Sequence, residues 1–178
     1  ITFVFGFLSF AFSQETNPLL VDDFENQKKW IDSVYMTLNL DQKIGQLFMP
    51  IVFSNKSELH KKEIINLINK NHIGGLIFSL GSPYKHTEWV NDFQKESKVP
   101  LLVGMDAEWG VSMRLDSVIK FPWNMTMGAI HDNNLIRRIG KRMGEQEKLL
   151  GINISFSPVL DLNTNPNNPI IGNRSFGE

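Results

Sequence analysis

The chain has no cysteine in its 178 residues. Disulfides, thiolate metal sites, a cysteine nucleophile and a lipidated cysteine at a cleavage point are therefore excluded. It has no excess of either charge: 18 Lys and Arg face 19 Asp and Glu, for a net charge of -1. That balance leaves no electrostatic footprint for nucleic acid or an acidic lipid surface. The four histidines, His60, His72, His86 and His131, show no metal-ligand spacing and are expected on helix surfaces or in loops. Gly74, Gly75 and Gly104 do not make a phosphate-cradling loop, so nucleotide binding is not expected. There is no Gly-x-Ser-x-Gly elbow and no internal repeat.

The one long apolar run, Ile1 to Phe12, is too short to span a bilayer. It ends in Ala11-Phe-Ser13, a small-x-small pattern of the kind read by signal peptidase. Residues 1–13 are read as the tail of a secretory signal whose basic start is missing, since the first residue is Ile1 and not Met. The competing reading is a buried strand or an anchor. A secreted or periplasmic protein of a bacterial envelope is expected, with no stable membrane insertion once the signal is removed. The sequons at Asn55, Asn124, Asn153 and Asn173 are read as chance matches. Without disulfides, such a protein relies on its core alone for stability.

What the sequence does contain is alternation. A leader (14–39) holds a helix capped by Asp22 or Asp23, and a short helical turn follows at 40–47. Apolar strands are expected at 47–53, 74–79, 99–105, 124–130 and 152–159. Helices are expected between them at 57–71, 83–97 and 132–150, the last closed by Gly151. Strands that are apolar throughout, each followed by a helix, indicate an α/β fold with a parallel sheet buried on both faces. About five strands fit either the first five-eighths of an eight-stranded barrel of about 250 residues or a smaller doubly wound domain.

Charge falls at the ends of these strands. Asp106 directly follows Leu101-Leu-Val-Gly-Met105, and Asp161 closes Pro158-Val-Leu. The carboxyl ends of parallel strands are where such folds bind ligands, and sugar hydroxyls can donate to a carboxylate there. The bland alternatives are a cap or an ion pair with Arg114 for Asp106, and a loop anchor for Asp161. Trp109 is either a flat wall for the C–H face of a sugar or a core aromatic. Arg174 follows an Asn/Pro-rich loop and carries a planar fork suited to vicinal hydroxyls or a carboxylate. The chain stops four residues later, so it is expected to break off inside a site.

Several motifs occur in order: Lys43-Ile-Gly-Gln-Leu-Phe-Met49, His72-Ile-Gly-Gly-Leu-Ile-Phe78, Pro100-Leu-Leu-Val-Gly-Met-Asp-Ala-Glu-Trp-Gly110, Phe121-Pro122 with Met127-Gly-Ala129, and Leu150 through Asn163 with Arg174-Ser-Phe-Gly-Glu178. Over residues 40–178 the chain resembles the amino-terminal domain of glycoside hydrolase family 3, in particular its β-N-acetylglucosaminidase branch. The resemblance implies an incomplete (β/α)8 TIM-type barrel, truncated at the carboxyl end. It implies retaining, exo-acting hydrolysis of a terminal β-linked N-acetylglucosamine or glucose from an oligosaccharide, with no metal or organic cofactor. Asp106 and Arg174 would hold the terminal sugar, with Trp109 and Asp161 as further candidates. The nucleophile and acid/base would lie downstream of Glu178, so these residues alone are expected to be inactive. The loop reads Asp-Ala-Glu-Trp-Gly where many members have Asp-Gln-Glu-Gly-Gly, which makes Trp109 unusual. The rival readings are a periplasmic sugar-binding domain and a catalytically inactive relative.

Overall fold

A computed structural model describes residues 23–165 and 167–178. The expected signal tail and residues 14–22 of the leader lie outside the described residues. Two units are distinct, with the boundary between Thr37 and Leu38. In the first, helix α1 spans Phe24–Thr37. Its start is capped as expected, since the Asn26 backbone N–H donates to Asp23 Oδ1 at 3.1 Å.

The second unit begins with α2 (Leu40–Gly45). Asn39 and Gln42 form a reciprocal capping box, which fixes this short helix without help from length. The chain then alternates: β1 (Ile51–Val52), α3 (Glu58–Asn71), β2 (Gly75–Phe78), α4 (Pro83–Glu96), β3 (Leu102–Met105), α5 (Asn124–Gly128), α6 (Asn133–Leu149) and β4 (Ile154–Ser155). The four strands are all parallel, in the order β1-β2-β3-β4. A doubly wound sheet reverses its strand order at a switch point. No reversal occurs among the described residues.

The sheet register separates two faces. Leu76 pairs with Val103 and Phe78 with Met105, and these four side chains point the same way. They are almost completely buried with Val52 against Ile64 and Ile68 of α3 and Trp89 and Phe93 of α4. The α4 start is set by Ser82, whose hydroxyl accepts the Lys85 N–H, and by Pro83 in the first turn. Helix α6 starts at the Asp132 cap and ends at Gly151, whose φ of 74° a side chain would strain. The other sheet face carries Ile51, Ile77, Leu102 and Phe156, with Gly75 and Gly104 between them. Ile51, Leu102 and Phe156 are exposed among the described residues. The expectation of a sheet buried on both faces is met on one face only.

Among the described residues there are four strands, not five. Within the segment 124–130, Asn124–Gly128 form the helix α5, preceded by Pro122. Its buried residues are Asn124 and Met127, three apart, which is a helical spacing and not a strand's alternation. The expected strands at 47–53 and 152–159 shrink to two residues each. Leu47 and Phe48 instead close the end of α2 with turn bonds to Ile44 and Gly45, and Pro50 and Pro158 have no N–H to give a ladder.

Two histidines are not surface residues. His86 is completely buried, edge-on to Phe78 at 4.4 Å, with Nε2 3.0 Å from the Leu150 carbonyl. Burial lowers its pKa to about 4, so the ring is neutral. His60 is largely covered, and its Nε2 accepts the Phe53 N–H at 3.3 Å.

Candidate functional site

Asp106 leaves the carboxyl end of β3, where the ladder with β2 stops at Met105. A short 3-10 turn, Val111–Met113, brings the chain back towards it, with Val111 fully buried as the anchor. Arg114 follows. Its Nη2 donates to the Asp106 carboxylate, and its Nε donates to the Asp106 carbonyl at 3.0 Å. The ion pair with Arg114, the alternative reading of Asp106, is thus present. Asp106 nevertheless keeps 37% of its side chain exposed. With Arg114 it lines a cavity of about 300 Å³ whose other walls are Ile51, Ile77, Phe78, Ser79 and Phe156. A compensated carboxylate therefore opens onto an apolar wall at the mouth of the sheet.

Two residues on, Glu108 is buried, with 5% of its side chain exposed. A carboxylate that deep needs a hydrogen-bonded cation. Arg174 supplies it through two parallel bonds, Nε to Oε2 at 2.9 Å and Nη2 to Oε1 at 2.6 Å. The Glu108 hydrogen bonds raise the Arg174 pKa above its ordinary value against the cost of burial, and Glu108, Asp106 and Asp161 add to the rise through their charges. The fork that the sequence offers to hydroxyls is thus taken by Glu108. Nη1 also reaches the Ile170 carbonyl at 3.4 Å. What Arg174 has left for a ligand is its outer N–H edge, in a side chain that is 35% exposed.

Arg174 is held from its backbone as well. Asn124 of α5 is completely buried and donates Nδ2 to the Arg174 carbonyl at 2.8 Å. Gly128, also on α5, lies against the next turn of chain: a Cβ there would sit 1.8 Å from the Phe176 carbonyl oxygen. Ser175 is completely buried, and its hydroxyl lies 2.7 Å from the Asp161 carbonyl and 2.8 Å from that of Gly177. Asp161 is tied into the loop by its backbone, while its side chain is exposed. Trp109 is half-buried and stacks on Trp123 with ring centroids 4.2 Å apart.

The structure brings Asp106 and Arg174 to one end of the sheet, through Glu108 between them, with Asp161 within electrostatic reach. Sequence reading missed Asn124 and Ser175 as supports. The Ser175 hydroxyl lies inside the Arg-Ser-Phe-Gly motif, but nothing marks Asn124 beyond a polar residue between Trp123 and Met125. A larger groove, about 670 Å³, lies away from this cluster between α2 and α3, with Asp41 and Lys70 its charged lining. Among the described residues no set of three His, Asp or Glu is placed to hold a metal, and no helix is long and apolar enough to cross a membrane.

The family model for the glycosyl hydrolase family 3 N-terminal domain matches residues 39–178. The chain belongs to glycosyl hydrolase family 3. A β-N-acetylglucosaminidase/β-glucosidase of Cellulomonas fimi is 29% identical over 160 residues, 90% of this chain and 27% of that protein. A β-hexosaminidase A of Pseudoalteromonas piscicida is 30% identical over 129 residues, 65% of this chain and 22% of that protein. This family 3 chain thus spans about a quarter of the length of these relatives. Among solved structures, the β-glucoside phosphorylase BglX bound to 2FGlc has a TM-score of 0.77 at 23% identity, over 86% of this chain and 27% of its own. NagZ of Neisseria gonorrhoeae has a TM-score of 0.58 at 23% identity, over 72% of this chain and 40% of its own. These structural likenesses bear on the fold, and they agree with the parallel α/β arrangement.

Proposed function

We propose that this chain forms the sugar-holding part of a retaining exo-β-glycosidase that removes terminal β-linked N-acetylglucosamine or glucose from oligosaccharides. The observation that carries the proposal is the pair of charge clusters at the strand ends: Asp106 on Arg114 beside a cavity, and Arg174 on a buried Glu108. An exposed carboxylate with one cationic partner accepts strong hydrogen bonds from neutral hydroxyls. The outer edge of a locked guanidinium donates to them without losing much side-chain freedom. Together they fix a ring's orientation while the apolar wall covers its C–H face.

The sheet supports a barrel. Its strands run in sequential order, as the first strands of a closed (β/α)8 ring do. In the complete protein the open sheet face would then be the interior of the ring. The nucleophile and acid/base are proposed to lie outside residues 1–178, with a carboxylate as nucleophile. The Ile1–Phe12 run ending in Ala11-Phe-Ser13 supports export to the periplasm or beyond. Amino-terminal sequencing of the mature protein should then begin at Gln14.

The decisive test is hydrolysis of β-linked N-acetylglucosamine and glucose glycosides by the complete protein, with and without Asp106→Ala. Losing a charge-assisted contact to the sugar should lower kcat/KM by about 100-fold or more. Sugar affinity with no turnover of either glycoside would support a binding domain or an inactive relative instead.

A further inference from the structure

We propose that Ser79 is a specificity-determining residue for the terminal sugar, its hydroxyl donating to the same ring hydroxyl that donates to Asp106. This rests on the glycosidase reading above and adds an uncharged contact to the charged ones. The placement follows from the sheet register. Phe78 and Met105 are the last paired residues of β2 and β3. Ser79 and Asp106 come next on each strand, side by side. Both fall on the open face, in step with Ile77 and Gly104. Both line the cavity of about 300 Å³ at the strand ends.

The Ser79 hydroxyl has no partner in the chain. The residue is buried, 8% exposed, and its backbone N–H donates to the Val52 carbonyl at 2.8 Å, which fixes the strand end. Among the described residues no hydrogen bond uses its side chain. Ser54, just past the end of β1, is also buried but donates its hydroxyl to the Leu80 carbonyl at 3.3 Å. A buried hydroxyl without a partner is costly, and most have one. The sealed, unpartnered atoms include His86 Nδ1 and Trp89 Nε1 but not Ser79 Oγ, so this hydroxyl opens onto the cavity. It is the uncharged polar group on a wall otherwise made of Asp106, Arg114 and apolar side chains.

The two groups have complementary chemistry. An ionised carboxylate only accepts. Arg114 holds Oδ2 of Asp106, and no hydrogen bond among the described residues reaches Oδ1. A ring hydroxyl that donates to Oδ1 still has lone pairs to satisfy against an apolar wall. Ser79 supplies a donor for one of them without adding charge. The pair thus reads one hydroxyl as donor and acceptor at once. A ring lacking that hydroxyl leaves two protein groups unpaired, which is the basis of strong rejection.

The test uses the complete protein with the nitrophenyl β-glycoside of its preferred sugar and the 3-, 4- and 6-deoxy analogues. Ser79→Ala should lower kcat/KM about tenfold for the parent glycoside. It should leave kcat/KM unchanged for one analogue, the one that lacks the shared hydroxyl. The melting temperature of the variant should equal or exceed that of the wild type, because no contact within the protein is lost. Ser79→Cys, similar in size and a weak donor, should lose activity in the same pattern, and it decides the question if Ser79→Ala does not fold. An equal loss on all four substrates, or no loss on the parent, overturns the role of Ser79 and leaves the glycosidase reading standing. No turnover of any of the four by the wild type overturns that reading and the role of Ser79 with it.

Discussion

The two faces of the sheet have similar side chains and opposite fates. On one, Leu76, Phe78, Val103 and Met105 are sealed beneath Trp89 and Phe93. On the other, Ile51 and Leu102 are each 49% exposed and Phe156 is 45% exposed. Strand composition is the same for both, so burial here is decided by which elements return to cover a face. Helices α3 and α4 follow β1 and β2 in sequence and cover the first face. The second is left open among the described residues, and relatives about three times as long have chain that could cover it. The Asp106 cavity opens on that second face, next to Ile51, Ile77 and Phe156.

The strongest way to break this comparison is to truncate one residue on each face in the complete protein. Phe93→Ala should cost about 3–5 kcal/mol by chemical denaturation. Ile51→Ala should cost about 2 kcal/mol or more if the second face is covered there. A cost below about 0.5 kcal/mol would mean that Ile51 stays in solvent.

Breaking the pair that links the site to the core comes next. Glu108→Ala removes the buried partner of Arg174 and should cost about 3 kcal/mol, measured as the unfolding free energy. The same change should lower kcat/KM, because Arg174 loses its locked pose. Full activity in that variant would show that Arg174 needs no anchor.

His86 gives a pH-dependent probe of the covered face. Its folded pKa, about 4, lies below the ordinary 6.5 because burial disfavours the charged ring. The unfolded chain therefore takes up a proton first. Stability should be full above pH 6.5, fall as pH drops through 6.5, and level off below about 4, a loss of about 3 kcal/mol. His86→Gln keeps a donor for the Leu150 carbonyl and should flatten that part of the stability curve. An unchanged curve would place the dependence on other groups.

The smallest effect is expected at the outer edge of the same face. Lys61 of α3 bonds Asp92 of α4 at 2.6 Å, which raises the lysine pKa and lowers that of the aspartate. The Asp92 side chain remains 35% exposed, so solvent screens the pair. Lys61→Met should change the unfolding free energy by about 1 kcal/mol or less.

Much of the covered face was legible in the sequence. Capping residues mark the starts of α4 and α6, and apolar runs mark β2 and β3. The signal for His86 was present too: positions 86, 89, 90 and 93 share one helical face, and the histidine sits on it with Trp89, Val90 and Phe93. Reading residue type before periodicity put it on the surface. On α3 the apolar Leu59 is exposed, while Lys61 takes a buried place beside Ile64 and Ile68. In the site, Asp106 was legible because a charge directly follows an apolar strand. The anchoring of Arg174 was not. Glu108 lies 66 residues away, and only the folded chain brings the buried carboxylate and the guanidinium together. Helix α5 was misread because Met125, Met127 and Ala129 alternate like a strand, while the buried pair Asn124 and Met127 follows the helix.

The most direct test of the central claim is a crystal structure of the complete protein soaked with its terminal monosaccharide. Sugar hydroxyls are expected within hydrogen-bonding distance of the Asp106 carboxylate and the outer N–H edge of Arg174, with Glu108 still holding the inner edge. A sugar bound instead in the larger groove between α2 and α3, with Asp106 and Arg174 untouched, would contradict it.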